Sequence, residues 1–307
     1  MPEFSSLDSL IETFRNRRPI RAGSLIISIY GDAIAPRGGT VWLGSLIRLV
    51  EPLGLNQRLV RTSVFRLAKE NWLAAEQVGR RSYYSLTGSG RRRFEKAFKR
   101  IYAAQSPEWD GRWTMALLNQ LTPEQRQELK QELEWQGFGS LAPTVMLHPQ
   151  ISRAELQGIL QEFDYMDNVV VLDTLGEEAS ASRAMRLQTR ESWNLEKLAD
   201  SYQHFLCQFR PVWQELSENG LPDPEQCFQI RILLIHEYRR ILLRDPNLPD
   251  ELLPGDWAGN AARQLCSNIY RKVWQDAETY LDQMLETAEG PLPPANTSFY
   301  KRYGGLR

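Results

Sequence analysis

At 307 residues the chain is long enough for two or three domains with sizeable cores. No apolar run approaches the roughly 20 residues that span a bilayer, and the N-terminus lacks the apolar core of a secretory signal, so neither a membrane nor a secreted protein is expected. Cys207, Cys227 and Cys266 show neither a CxxC spacing nor a histidine partner pattern, which argues against a disulfide framework or a zinc site and for a reducing cytoplasm.

The formal net charge of −1 hides an uneven distribution. Residues 1–100 hold 18 Lys+Arg against 8 Asp+Glu, leaving 19 bases against 30 acids in the remainder. A basic front end with an acidic remainder suits a DNA reader joined to a module that does not touch DNA.

Residues 1–23 form a basic leader. Its weakly amphipathic Leu7–Phe14 stretch continues as Arg15-Asn16-Arg17-Arg18-Pro19-Ile20-Arg21, either a basic arm on a phosphate track or minor groove or a solvated leader. Ser24–Ile34 is apolar enough to be a buried first helix of a domain spanning 24–104, closed by the Pro36-Arg37-Gly38-Gly39 loop. Leu43–Val50 places Leu46, Leu49 and Val50 on one helical face, and Pro52 and Gly54 stop it. Asn56 then caps a second helix reaching Glu70. Leu59, Val60, Val64, Phe65 and Leu67 are expected inside, with Gln57, Arg58, Arg61, Thr62, Ser63 and Arg66 outside.

That outward face suits a major groove, because arginine forks onto guanine, glutamine pairs with adenine and hydroxyls reach phosphates. Leu73–Gln77 and Ser82–Leu86 read as strands joined by Val78-Gly79-Arg80-Arg81, whose arginines would meet the phosphate backbone. Helix, basic helix and basic-tipped hairpin in this order predict a winged helix-turn-helix, with Gln57, Arg58, Arg61, Thr62, Arg66, Arg80 and Arg81 as the DNA-binding set. A basic helix follows over Gly88–Ala103, carrying Arg91, Arg92, Arg93, Lys96, Lys99 and Arg100 and packing through Phe94, Phe98 and Ile101.

Gln105-Ser106-Pro107 punctuates a boundary. Across 105–183 the pattern alternates: strand Trp113–Leu118, helix Pro123–Trp135, strand Ser140–Leu147, helix Ser152–Phe163 and strand Val169–Leu172. This predicts a ferredoxin-like α/β sandwich. Its opening box, Trp109-Asp110-Gly111-Arg112-Trp113, reads as a structural staple with Asp110 and Arg112 paired. Residues 184–307 form a mostly helical domain with helices Ser192–Glu218, Pro224–Arg244 and Asn260–Glu286. There His236, Tyr238, Arg239 and Arg240, with Asp256 and Trp257 on a Pro-rich loop, would suit an anionic ligand bearing an aromatic ring. Equally, His236 can be a satisfied core histidine and Trp257 a cap on a helical bundle.

VRTSVFRLAKENWL, the WDGRW box and LLIHEYRRILLRDPNLPDELLPGDWAG together resemble the PaaX-type transcriptional repressors of phenylacetic acid catabolism, over about Arg21 to Leu285. The resemblance implies a cytoplasmic homodimer that represses an aromatic-degradation operon by binding double-stranded operator DNA. It further implies release by phenylacetyl-CoA as inducer, and the three-part α+β architecture set out above. It transfers no inducer-binding positions. Where such regulators usually carry glycine after the recognition helix, this chain has Asn71, which tolerates a left-handed backbone almost as well.

Rival expectations are an acyl-CoA-handling enzyme such as a thioesterase, a metal-dependent nuclease, or a regulator of a different aromatic pathway. Against catalysis, there is no GxSxG elbow or HxxxxD pair, and His148, His204 and His236 are scattered. No catalytic and no metal-binding residue is assigned.

Overall fold

The computed structural model describes residues 4–18, 21–103, 108–175 and 183–306. Pro19-Ile20, the Gln105-Ser106-Pro107 boundary and the side chains of Arg93, Lys96, Phe98 and Lys99 lie outside the described residues. Helices and small sheets mix throughout, and contacts divide the chain into two compact units. The first comprises residues 1–104, 203–240 and 260–307; the second comprises 105–202 and 241–259. The stretch 184–307, set apart in the sequence as one helical domain, contributes to both.

In the first unit the leader folds as α1 (Ser5–Arg15), a packed helix and not a free arm. Leu7, Leu10, Ile11 and Phe14 recur at helical spacing and are all buried, so the strip anchors the chain end. Glu215 accepts from Ser5 and Ser6 at its start, and Arg17 beyond its end pairs with Glu237. Helix α2 (Ala22–Ile29) continues as a π turn over Tyr30–Ile34. Gly31 in that turn admits the Phe94 ring, which fills the space a Cβ would need.

A strand too short to show in the sequence, β1 (Thr40–Trp42), precedes α3 (Leu43–Val50). A 3-10 turn over Glu51–Leu53 and the left-handed Gly54 (φ +84°) lead to α4 (Gln57–Lys69). The expected cap is present: Asn56 Oδ1 accepts from Leu59 N–H at 2.9 Å. At the other end Asn71 is left-handed (φ +58°), with Trp72 N–H donating to Leu67 and Asn71 N–H to Ala68. Those two bonds make a Schellman closure, which satisfies the last carbonyls of α4.

The hairpin β2 (Leu73–Val78) and β3 (Arg81–Leu86) pairs Val78 with Arg81, so Gly79-Arg80 alone make the turn. Of the two, only Gly79 has positive φ (+61°), as in a type II′ turn. The tip is thus narrower than the sequence predicts, and Arg81 opens β3. Strand β1 joins β3, giving the antiparallel order β1-β3-β2. Helix α5 (Gly88–Ile101) follows.

The C-terminal helices are α9 (Leu195–Glu218), α10 (Pro224–Leu242) and α11 (Ala258–Met284), with α8 (Arg183–Ser192) before them. Helix α10 is buried nearly all round, through Phe228, Ile230, Ile232, Leu233, Leu234 and Ile235, as befits a central helix. After α11 come a two-residue pair, β8 (Glu286–Thr287) and β9 (Gly290–Pro291), and α12 (Thr297–Tyr300).

A buried ionic cluster ties this unit together. Asp32, 1% exposed in the π turn, accepts from Arg231 Nε of α10 at 2.6 Å and from Arg302 at 3.1 Å. The hydroxyls of Tyr102 and Tyr270 also donate to it. Burial alone would raise the Asp32 pKa, but Arg231 and Arg302 more than offset it, so the carboxyl is held below its ordinary range. Glu278 of α11 shares Arg231 at 2.6 Å and Arg37 at 3.1 Å.

In the second unit β4 (Arg112–Leu117), α6 (Pro123–Trp135), β5 (Gly139–Ala142), β6 (Val145–His148), α7 (Arg153–Glu162) and β7 (Val170–Leu175) build an antiparallel sheet ordered β5-β6-β4-β7. The single strand expected over Ser140–Leu147 is therefore a hairpin. Ala142 pairs with Val145 around Pro143-Thr144, because proline cannot donate to a ladder and turns readily. Capping boxes at Thr122/Gln125 and Ser152/Glu155 start both helices. Leu129, Leu133, Leu156 and Leu160 pack on Ala116, Met146 and Val169. The WDGRW box is a staple: Asp110 pairs with Arg112 at 3.4 Å, and Trp109 meets Trp113 edge-on at 5.4 Å. Trp109 Nε1 also donates to the Pro149 carbonyl at 2.8 Å.

Candidate nucleic-acid interface

Helix α4 buries Val60, Ser63, Val64 and Leu67, a stripe at i, i+3, i+4 and i+7. This corrects two sequence expectations. Ser63, one turn on from Val60, falls inside the stripe, whereas Phe65, one residue past Val64 and about 100° around the helix, is 59% exposed. Phe65 thereby shares its face with Arg58, Arg61 and Thr62, and Lys69 Nζ lies 5.0 Å from its ring centroid. The spacing 58-61-62-65 carries this signal, which the aromatic character of Phe65 masks.

Gln57, Arg58, Arg61, Thr62 and Arg66 are all exposed. Thr62 Oγ1 donates to the Arg58 carbonyl at 2.9 Å, and the Gln57 amide oxygen, in the orientation that satisfies both groups, accepts from Arg61 at 3.0 Å. Arg58, Arg61 and Arg80 have no carboxylate at ion-pair distance among the described residues. Arg66 differs: it pairs with Glu70 at 3.6 Å and lies against Gly23 of α2, where a Cβ would come within 2.9 Å of its Nη2. Arg80 sits at the hairpin tip, while Arg81 pairs with Glu286 at 2.9 Å. The structure therefore offers an exposed helix face bearing unpaired guanidiniums, beside a cationic hairpin, both on one buried framework. Such a surface can form charge-assisted bonds to phosphates and base edges.

The residues expected to hold an anionic ligand divide differently. His236 is 2% exposed, with Nδ1 3.1 Å from Ser28 Oγ and its ring edge-on to Phe14. Tyr238 is buried against Phe205. Arg239 is buried as well; its Nη1 reaches Ser28 Oγ at 3.5 Å and its Nε has no acceptor among the described residues. Arg240 pairs with Glu237 at 3.2 Å. Asp256 and Trp257 belong to the second unit. Asp256 is exposed, and Trp257 packs edge-on to Tyr202 at 5.8 Å, over Gly259.

Burial first, and then the cations of Arg240, Arg239 and Arg17, push the His236 pKa down to about 3. Glu237 Oε1 is 3.9 Å from Nε2 but is engaged by Arg17, so it does not draw a proton onto the ring. The sign is clear: between about 6.5 and 3 the unfolded chain takes up a proton that the folded protein refuses. His236 therefore costs nothing above the unfolded pKa and destabilises increasingly below it, by about 2 kcal/mol at pH 5. Urea melts at pH 7.5 and pH 5.0 should show this loss in the parent but not in His236→Gln. Equal pH slopes would contradict it.

Among the described residues no helix is long and apolar enough to cross a membrane, and no group of three His, Cys, Asp or Glu could hold a metal ion.

The model of the PaaX-like protein family matches residues 21–90, that of the PaaX protein central Cas2-like domain matches 106–185, and that of the PaaX-like protein C-terminal domain matches 193–283. The chain is 43% identical over 303 residues to the transcriptional repressor PaaX of Escherichia coli (strain K12), covering 98% of this chain and 96% of that one. Among solved structures it is similar to the uncharacterized protein Rv0674 from Mycobacterium tuberculosis, with a TM-score of 0.55 and 20% identity. That likeness covers 84% of this chain and 97% of that one, and concerns the fold alone.

Proposed function

The chain belongs to the PaaX family, and from that premise we propose that it is a DNA-binding transcriptional repressor of a phenylacetic acid degradation operon. It acts as a regulator, not as an enzyme. The observation that carries the mechanism is the exposed face of α4, whose Arg58 and Arg61 lack carboxylate partners among the described residues. Together α3, α4 and the β2–β3 hairpin work as a winged helix-turn-helix, with α4 entering the major groove. Gln57, Arg58, Arg61 and Thr62 read or position, Phe65 offers an apolar contact to a thymine methyl, and Arg80 grips backbone phosphate. The second unit, with its βαββαβ order, is a ferredoxin-like sandwich. A homodimer would present two α4 helices to successive major grooves of a palindromic operator.

Phenylacetyl-CoA is the proposed inducer, and it can release the operator only by binding better to an arrangement that does not bind DNA. Arg239 is the residue best supported for its anionic part, because a buried guanidinium with an unsatisfied Nε favours a bound anion. Arg239→Met should leave operator affinity within about twofold while raising the thioester concentration needed for release at least tenfold, since a charge-assisted bond is worth roughly 1.5–3 kcal/mol. Wild-type release by that variant would remove Arg239 from the effector site. The function itself is tested with a reporter fused to the promoter upstream of the chain's own operon. Deleting the chain should raise expression in the absence of phenylacetate; a fall would mark an activator.

A further inference from the structure

Around Trp42 a second cationic surface forms, on residues outside the α4 face. The indole folds back across Gly44, where a Cβ would come within 2.4 Å of the ring. The Arg81 guanidinium carbon lies 4.1 Å from the ring centroid and that of Arg48 lies 5.1 Å away. A single carboxylate holds both: Glu286 Oε1 accepts from Arg48 at 3.3 Å and Oε2 from Arg81 at 2.9 Å. All three charged side chains remain partly open to solvent. Glu286 is not a loosely hung surface acid. Its N–H donates to the buried Ser45 Oγ of α3 at 3.3 Å, and Leu285 beside it is buried.

We propose that Arg48 and Arg81, set against Trp42, form a phosphodiester subsite for operator DNA that Glu286 occupies in the free protein as an internal stand-in for the phosphate; this rests on the DNA-binding role given above. A guanidinium fork donates to a carboxylate or to a phosphate oxygen in the same geometry, so the two compete. Arg81 opens the strand that follows the cationic hairpin tip, so a backbone gripped by Arg80 runs past it. Removing the carboxylate should therefore free two cations for DNA. Glu286 follows α11, which carries Tyr270 and Glu278 of the buried polar network.

The test is fluorescence anisotropy of operator DNA against a salt series, comparing the parent with Glu286→Gln. The variant should bind about threefold to tenfold more tightly at ~0.1 M salt, because each exposed pair released contributes modestly. Its log–log salt slope should be steeper by about one to two, at roughly 0.9 per phosphate newly neutralised. Combining it with Arg48→Ala and Arg81→Ala should abolish the gain. Parental affinity and slope in Glu286→Gln would overturn the proposal. So would a gain that survives in the triple variant, which would mark a long-range charge effect. Arg61→Ala separates the two levels: if it binds like the parent, the DNA-binding role assigned to α4 fails, whereas an impaired Arg61→Ala beside an unchanged Glu286→Gln sinks only the subsite.

Discussion

Asp32→Ala is expected to destabilise the first unit by about 3–5 kcal/mol, the cost of leaving buried charges without their counter-ion. Two guanidiniums depend on this carboxylate, and both Arg231 and Arg302 are essentially without solvent. Arg231 would retain Glu278, whereas the contacts left to Arg302 include the Tyr270 hydroxyl, the Asp32 carbonyl and the rings of Tyr102 and Phe299, 4.1 and 4.4 Å from its guanidinium carbon, none of which is a carboxylate. The residues that meet at Asp32 come from the π turn after α2, the end of α5, α10, α11 and the C-terminal 3-10 turn. Their loss should lower the cooperativity of unfolding across the whole unit, not merely at one helix. Chemical denaturation of parent and variant measures it, and a loss below about 1 kcal/mol, the worth of an exposed pair, would show that the cluster is dispensable.

Arg61→Ala carries the second large effect, on binding and not on folding. Its side chain is exposed and bonds to the Gln57 amide oxygen, so thermal stability should stay within about 0.5 kcal/mol. Specific operator affinity should fall by about 1–3 kcal/mol, roughly fivefold to 150-fold, if the guanidinium reads a base edge. Affinity for a scrambled duplex should fall much less. An equal loss on both duplexes would reassign Arg61 to the phosphate backbone, and no loss on either would move the recognition surface away from α4.

Local signals made the α4 region legible. Asn56 as a cap, Asn71 as a left-handed closure and Gly79 at a hairpin turn each act on backbone within a few residues of themselves, so the sequence carries them directly. Periodicity locates the buried stripe of α4, but Phe65 and Ser63 run against their hydrophobicity because angular position on the helix decides which side chain faces inward. Strand β1 was invisible: three residues have no period, and their partner β3 lies about 40 residues on. The β5–β6 hairpin was merged because Pro143 sits within an otherwise apolar run. The polar architecture of the first unit was the least legible part. Arg231, Arg302 and Glu286 meet Asp32 or Arg81 across some 200 to 270 residues, and nothing in the local sequence around either end names the other. The same holds for His236, whose spacing could not distinguish a ligand contact from a buried, neutral ring lodged between Ser28 and Phe14.

The most direct test of the central claim is anisotropy of labelled DNA from upstream of the chain's own operon, titrated with protein, then with phenylacetyl-CoA, using free phenylacetate and coenzyme A as controls. A repressor using the α4 face should bind this duplex far more tightly than a scrambled one, lose affinity steeply with salt and be released by the thioester alone. Equal affinity for operator and scrambled DNA, or none for either, would contradict it.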